Sequence, residues 1–93
     1  MRTDEVEILS DQTNAAVMRH PGRKFPGILV QGDTMSNFCR LADDACRSLK
    51  EGDTEEAYDE LNELRNMLWG QLNHYKSVLG EHNIPLPFSD QNA

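Results

Sequence analysis

The chain reads as an α+β protein, a small N-terminal antiparallel β-sheet packed on a two-helix antiparallel hairpin and assembled as a homo-oligomer. Three observations predict this. Within the first 30 residues, apolar residues fall in short runs of four or five between turn signals. From residue 34 onward they recur at every third or fourth position, and Gly52-Asp53 interrupts that helical pattern once. At 93 residues the chain makes one domain. A domain this small leaves apolar surface for another copy to cover.

Residues 5–30 carry the sheet and a basic loop. Glu5-Val6-Glu7-Ile8-Leu9 alternates Val6 and Ile8 with polar neighbours, Ala15 to Met18 is a second short strand, and Gly27-Ile28-Leu29-Val30 is a third. Between the last two, the Pro21-Gly22 and Pro26-Gly27 pairs predict turns. The first helix is expected over 34–50, with Asp33 or Thr34 as N-cap and one stripe of Met35, Phe38, Ala42, Ala45 and Leu49. Gly52 suits the turn out of it. Asp53-Thr54-Glu55-Glu56 then caps a second helix over 54–79 and places negative charge at the positive end of its dipole. Ala57, Leu61, Leu64, Leu68, Leu72, Tyr75 and Leu79 continue one face to Gly80, the expected C-cap, and residues 81–93 form a tail.

The arms are unequal, about 25 Å against about 39 Å at roughly 1.5 Å per residue. The overhang holds Leu72, Tyr75, Val78 and Leu79, with Trp69 just before it. Sheet residues cover part of such a surface and a second subunit the rest, so a dimer or tetramer is expected.

Charge excludes several function classes. Nine basic against 16 acidic residues give −7, which repels nucleic-acid polymers and anionic membranes. No run approaches the roughly 18 apolar residues of a membrane span, and the acidic N-terminus lacks the apolar stretch of a signal peptide, so a cytoplasmic protein is expected. Cys39 and Cys46, seven apart on one helix, are too distant to bridge each other and read as reduced, packed thiols. Neither has a histidine near it in sequence, and GxSxG, P-loop, HExxH and paired CxxC patterns are absent, so no enzyme is expected. His74 and His82 lack metal-ligand spacing. The acids from Glu51 to Glu63 lack the glycine turn of a calcium loop, so neither metal nor cofactor is expected.

The distribution of charge is more informative than its sum. From Gln12 to Gly32 there is no acidic residue, while Arg19, Arg23 and Lys24 are basic and His20 adds a fourth possible charge; the other 6 basic and 16 acidic residues leave the rest of the chain at −10. Arginine offers a planar fork of donors to phosphate, lysine a point charge, and Phe25 a face for a base. Thr34, at a helix start, adds a hydroxyl and a backbone N–H. The competing reading pairs these charges with the acidic second helix or with a neighbouring subunit.

The stretch from Asn14 to Thr34, with its Pro21-Gly22-Arg23-Lys24-Phe25-Pro26-Gly27 and Gln31-Gly32-Asp33-Thr34 segments, followed by an acidic helical hairpin, resembles a family of small bacterial and phage proteins of no assigned activity. In architecture, a short oligomerising hairpin bearing a basic, aromatic loop also resembles the phage sponges that sequester cyclic oligonucleotide signals of CBASS immunity. That resemblance implies non-enzymatic capture of a cyclic nucleotide. From their side-chain chemistry, Arg19, Arg23, Lys24, Phe25 and Thr34 are the expected ligand contacts. The alternative is a small acidic interaction module, of immunity or adaptor type, whose Glu55, Glu56 and Asp59 meet a basic protein.

Overall fold

The computed structural model describes residues 1–12 and 15–90. Thr13 and Asn14, the first of which precedes and the second of which opens the stretch quoted above, lie outside it, as does the end of the tail over 91–93. The elements are β1 (Glu7–Ser10), β2 (Ala15–Arg19), β3 (Gly27–Val30), α1 (Gly32–Lys50) and α2 (Thr54–Glu81), an α+β arrangement with a three-stranded antiparallel sheet ordered β1-β2-β3. Two compact units result, one of Met1–Val30 with Asn73–Ala93 and the other of Gln31–Leu72. α2 contributes to both.

In the first unit the pairing of β2 with β3 is regular, from Ala15 opposite Val30 to Met18 opposite Gly27. Strand side chains alternate between faces, so Ala15 and Val17 turn inward and are buried while Ala16 and Met18 face outward. β1 is less regular. Ile8 opposes Met18 but Ser10 opposes Val17, which leaves Leu9 as an extra residue in a bulge. Because Ile8 sits directly opposite the outward-facing Met18, the alternation of β1 puts Val6 and Ile8 on the outer face: both are exposed, and Leu9 is half-buried. The core of this unit joins Ala15 and Val17 to Tyr75, Val78 and Leu79 of α2, with Val17 and Leu79 fully enclosed. Burying side chains of this size stabilises by about 1.5–3 kcal/mol each.

In the second unit α1 and the 54–72 part of α2 form the hairpin. Asn37 faces Met67 and Ser48 faces Glu60, where the Ser48 hydroxyl donates to a Glu60 carboxylate oxygen at 2.6 Å, so the two arms run antiparallel. α1 starts two residues earlier than expected, with Gln31 in the N-cap position; Asp33 lies inside the helix and accepts the Thr34 N–H at 2.9 Å. Gly52, at φ +85°, ends α1. The Asp53 N–H donates to Ser48 O at 2.9 Å and the Gly52 N–H to Leu49 O at 3.1 Å, the paired bonds of a Schellman stop. Asp53 then caps α2, accepting the Glu56 N–H on Oδ1 at 3.1 Å.

α2 runs through Gly80, which is helical and not the cap. The same pair of bonds forms one turn later, from the Ile84 N–H to Leu79 O at 2.9 Å and the Asn83 N–H to Gly80 O at 3.2 Å, with Asn83 at φ 57°. Asparagine tolerates this left-handed conformation. The expected single stripe of α1 also divides: Phe38, Leu41 and Ala45 are buried, but Met35 and Leu49 are exposed. On α2, Ala57, Tyr75 and Leu79 are buried whereas Leu61 and Leu68 are exposed.

Candidate ligand-binding groove

The basic loop leaves β2 through a type II turn. Pro21 supplies the fixed φ of its second position, Gly22 takes φ +82° at its third, and the Arg23 N–H donates to His20 O at 3.1 Å. His20 Nδ1 lies 2.7 Å from Pro21 O, which as a carbonyl oxygen accepts from it. Pro26-Gly27 does not form the second turn expected from the sequence. Gly27 already opens β3, and Pro26 is buried with its carbonyl accepting a 2.7 Å hydrogen bond from the Tyr75 hydroxyl. That buried carbonyl at a strand entry is satisfied from α2.

Arg19 is held by its own unit. Its Nε and one terminal nitrogen donate to the two Glu7 carboxylate oxygens at 3.2 and 3.0 Å, and its other terminal nitrogen donates to Lys24 O at 3.2 Å. The hydrogen bond from Arg19, assisted by its charge, holds the Glu7 carboxyl below its usual value, and the same bond raises Arg19. The arginine thus ties β1 to the far side of the loop. By contrast, the charged ends of Arg23 and Lys24 form no ion pair among the described residues. Lys24 Nζ lies 5.4 Å from the Phe25 ring centroid, within cation–π range.

Arg23 and Phe25 line one open groove of about 380 Å³ on the outer face of the sheet. Its other walls include Met18, Leu29 and His20. The register explains the floor, because Met18 and Leu29 point outward from adjacent strands, away from the face that Ala15 and Val17 bury. A cation, an imidazole, an aromatic ring and an apolar floor therefore share one hollow, within the usual size range for small-molecule sites. Arg23 and His20 also border a second hollow of about 370 Å³, shared with Arg19, Glu5 and Glu7. The carboxylates there disfavour an anion.

Of the five residues expected from sequence, Arg23 and Phe25 share the groove, Lys24 lies against Phe25, and Arg19 occupies the neighbouring hollow. Thr34 belongs to the other unit, half-buried in the first turn of α1, with its N–H on Asp33. Sequence reasoning left Met18 and Leu29 out of the site. Strand alternation was the signal available, but it needs the pairing register to say which face is outward.

Cys39 and Cys46 are free thiols and both are exposed, which corrects their reading as packed residues. They lie one position beyond the buried Phe38 and Ala45, about 100° around the helix. Among the described residues, no cluster of three His, Cys, Asp or Glu side chains is placed to hold a metal, and no helix is long and apolar enough to cross a membrane.

The sequence profile of DUF6959, a family of unknown function, matches residues 1–88. No curated protein and no solved structure matches the chain.

Proposed function

We propose that this chain, which belongs to the DUF6959 family of unknown function, captures a small phosphate-bearing ligand without transforming it, most concretely a cyclic oligonucleotide. The observation that supports this reading best is the Arg23 guanidinium, free of any ion pair among the described residues, on the wall of a groove that also presents Phe25, Met18 and Leu29. A purine or pyrimidine stacks on Phe25 over the apolar floor, while Arg23 takes the phosphate with two parallel donors and Lys24 adds a point charge. His20 Nε2 accepts from an exocyclic amine. Arg19 acts by holding the loop through Glu7 and Lys24 O.

Sequestration fits a non-enzymatic protein of the bacterial cytoplasm, and a phage anti-CBASS role is its most specific form. Assembly as a dimer or tetramer would let two open grooves enclose one ligand. The test is calorimetric titration of the purified chain with a panel of cyclic di- and trinucleotides, each ligand then recovered after heat denaturation. Binding with intact ligand returned, lost in Arg23→Ala and Phe25→Ala, is the expected result. No heat from any member of the panel overturns the cyclic-nucleotide reading, and a cleaved product overturns the non-enzymatic one.

A second reading has its own observation. Glu55, Glu56 and Asp59, in the first turns of α2, are exposed and form no ion pair among the described residues. They suit a basic protein surface, and reversing these three charges would abolish capture of such a partner while leaving nucleotide binding unchanged.

A further inference from the structure

We propose that the hairpin of Gln31–Leu72 docks against the same hairpin of a second copy, so that two chains complete a four-helix bundle. This rests on the assembly part of the reading above and not on its ligand. The starting observation is a second heptad seam on each helix. On α1, Met35, Cys39, Ala42, Cys46 and Leu49 follow one another at alternating steps of four and three, the spacing of a coiled-coil seam. This seam lies beside the buried one of Phe38, Leu41 and Ala45. On α2, Thr54, Tyr58, Leu61, Leu68 and Leu72 keep the same phase beside Ala57 and Leu64, with Arg65 the one charged member.

A helix in an isolated pair needs one seam, and the second seam on both arms is left facing away from the hairpin's own core. In an antiparallel pair, both second seams lie on the same side, since each is rotated about 100° from its inner seam in the direction of its own chain. The structure bears this out with one strongly apolar groove of about 360 Å³, lined from both helices and including Ala42, Cys46, Leu49, Tyr58 and Leu61. Its large side chains stand in solvent: Leu49 is 61% exposed, Tyr58 61% and Leu61 56%.

Shape, area and charge favour a second copy as the occupant. The floor is built from small residues, Ala42, Ala45, Cys46 and Ala57, and the rim from Leu49, Tyr58 and Leu61, so the face offers both the knobs and the hollows that the same face needs. With Met35, Leu68 and Trp69, the large apolar side chains of this unit stand 37–61% exposed, surface of the kind that a stable interface of ~800 Å² per partner covers. A twofold axis parallel to the helices sets α1 of one copy on α2 of the other and keeps the two hairpin turns at one end. Lys50 beside the seam of α1 then comes opposite Glu55 beside the seam of α2. Both are exposed and neither has an ion pair among the described residues.

The test uses the full chain. Light scattering at micromolar concentration should give an assembly of at least two copies, and Cys39 and Cys46 should react slowly with a maleimide. Leu49→Lys combined with Leu61→Lys should give a helical monomer, shown by unchanged far-ultraviolet dichroism, whose thiols react at least tenfold faster. Lys50→Glu and Glu55→Lys should each weaken the dimer and together restore it. A monomeric wild-type chain overturns the proposal. So does an assembly that survives the double lysine variant with its thiols still reactive, because another face then holds it. If the dimer behaves as expected while no nucleotide binds, the ligand reading alone fails.

Discussion

The Tyr75 hydroxyl donates to the Pro26 carbonyl at 2.7 Å, joining the C-terminal part of α2 to the point where the basic loop enters β3. The same ring stacks on Phe88, with centroids 6.4 Å apart and planes at 26°. Tyr75→Phe keeps the ring and leaves a buried carbonyl unpaired, so the variant should unfold about 1–2 kcal/mol more easily. Burial raises the Tyr75 pKa. The unfolded chain therefore ionises first, and the contribution of Tyr75 is complete below the ordinary tyrosine value of about 10 and lost as pH rises through the raised one. Urea titrations of both proteins from neutral to strongly alkaline pH check this: the stability gap should shrink as pH rises, and a constant gap would contradict it.

The Arg19–Glu7 pair predicts the opposite pH limb. Its carboxyl is depressed by the arginine hydrogen bond, so the stabilisation is present above the ordinary carboxylate value and lost as pH falls through the lowered one. Thermal melts of wild type and Glu7→Gln should differ near neutrality and converge well below about pH 4. The pair is exposed on the Glu7 side, so the difference should also shrink in high salt.

Between the helices, Gly52 at φ +85° and the Asp53 cap are separable by substitution. Nothing lies within 4 Å of a Cβ built on Gly52, so Gly52→Ala is a test of backbone strain and not of crowding. It should cost about 1–2 kcal/mol. Asp53→Ala removes the bond to the Glu56 N–H and should cost about 1 kcal/mol. Chemical denaturation of each single variant measures both.

Leu79 and Val17 are the two large side chains with no exposed surface in the core of the first unit. Leu79→Ala should lose about 2–5 kcal/mol, and Val17→Ala less because fewer methyl groups are removed. Far-ultraviolet dichroism against urea gives the ranking. If Leu79→Ala proves too unstable to purify, Leu79→Val carries the same test.

The elements were legible in the sequence to within about two residues, because Gly52-Asp53, the β-branched run after Gly27 and the helical spacing are local signals. Faces were harder. Phe38 and Met35 are both apolar and three apart, yet one is buried and the other exposed, since a hairpin uses only part of a wide apolar surface. The basic loop was legible as a cluster of charge, but the engagement of Arg19 by Glu7 needed the pairing of β1 with β2. Pro26 looked like a turn residue because the hydroxyl that satisfies its carbonyl comes from position 75.

The bulge at Leu9 has a bearing on how the sheet meets foreign strands. A three-stranded sheet has two open edges, and each is a template on which unfolded chain can add. Along β1 the extra residue breaks the even ladder that an added strand would need, and β3 offers only the four residues from Gly27 to Val30. The outer strands are thereby poor seeds for fibrils, even though Ile28-Leu29-Val30 is the most β-prone stretch of the chain.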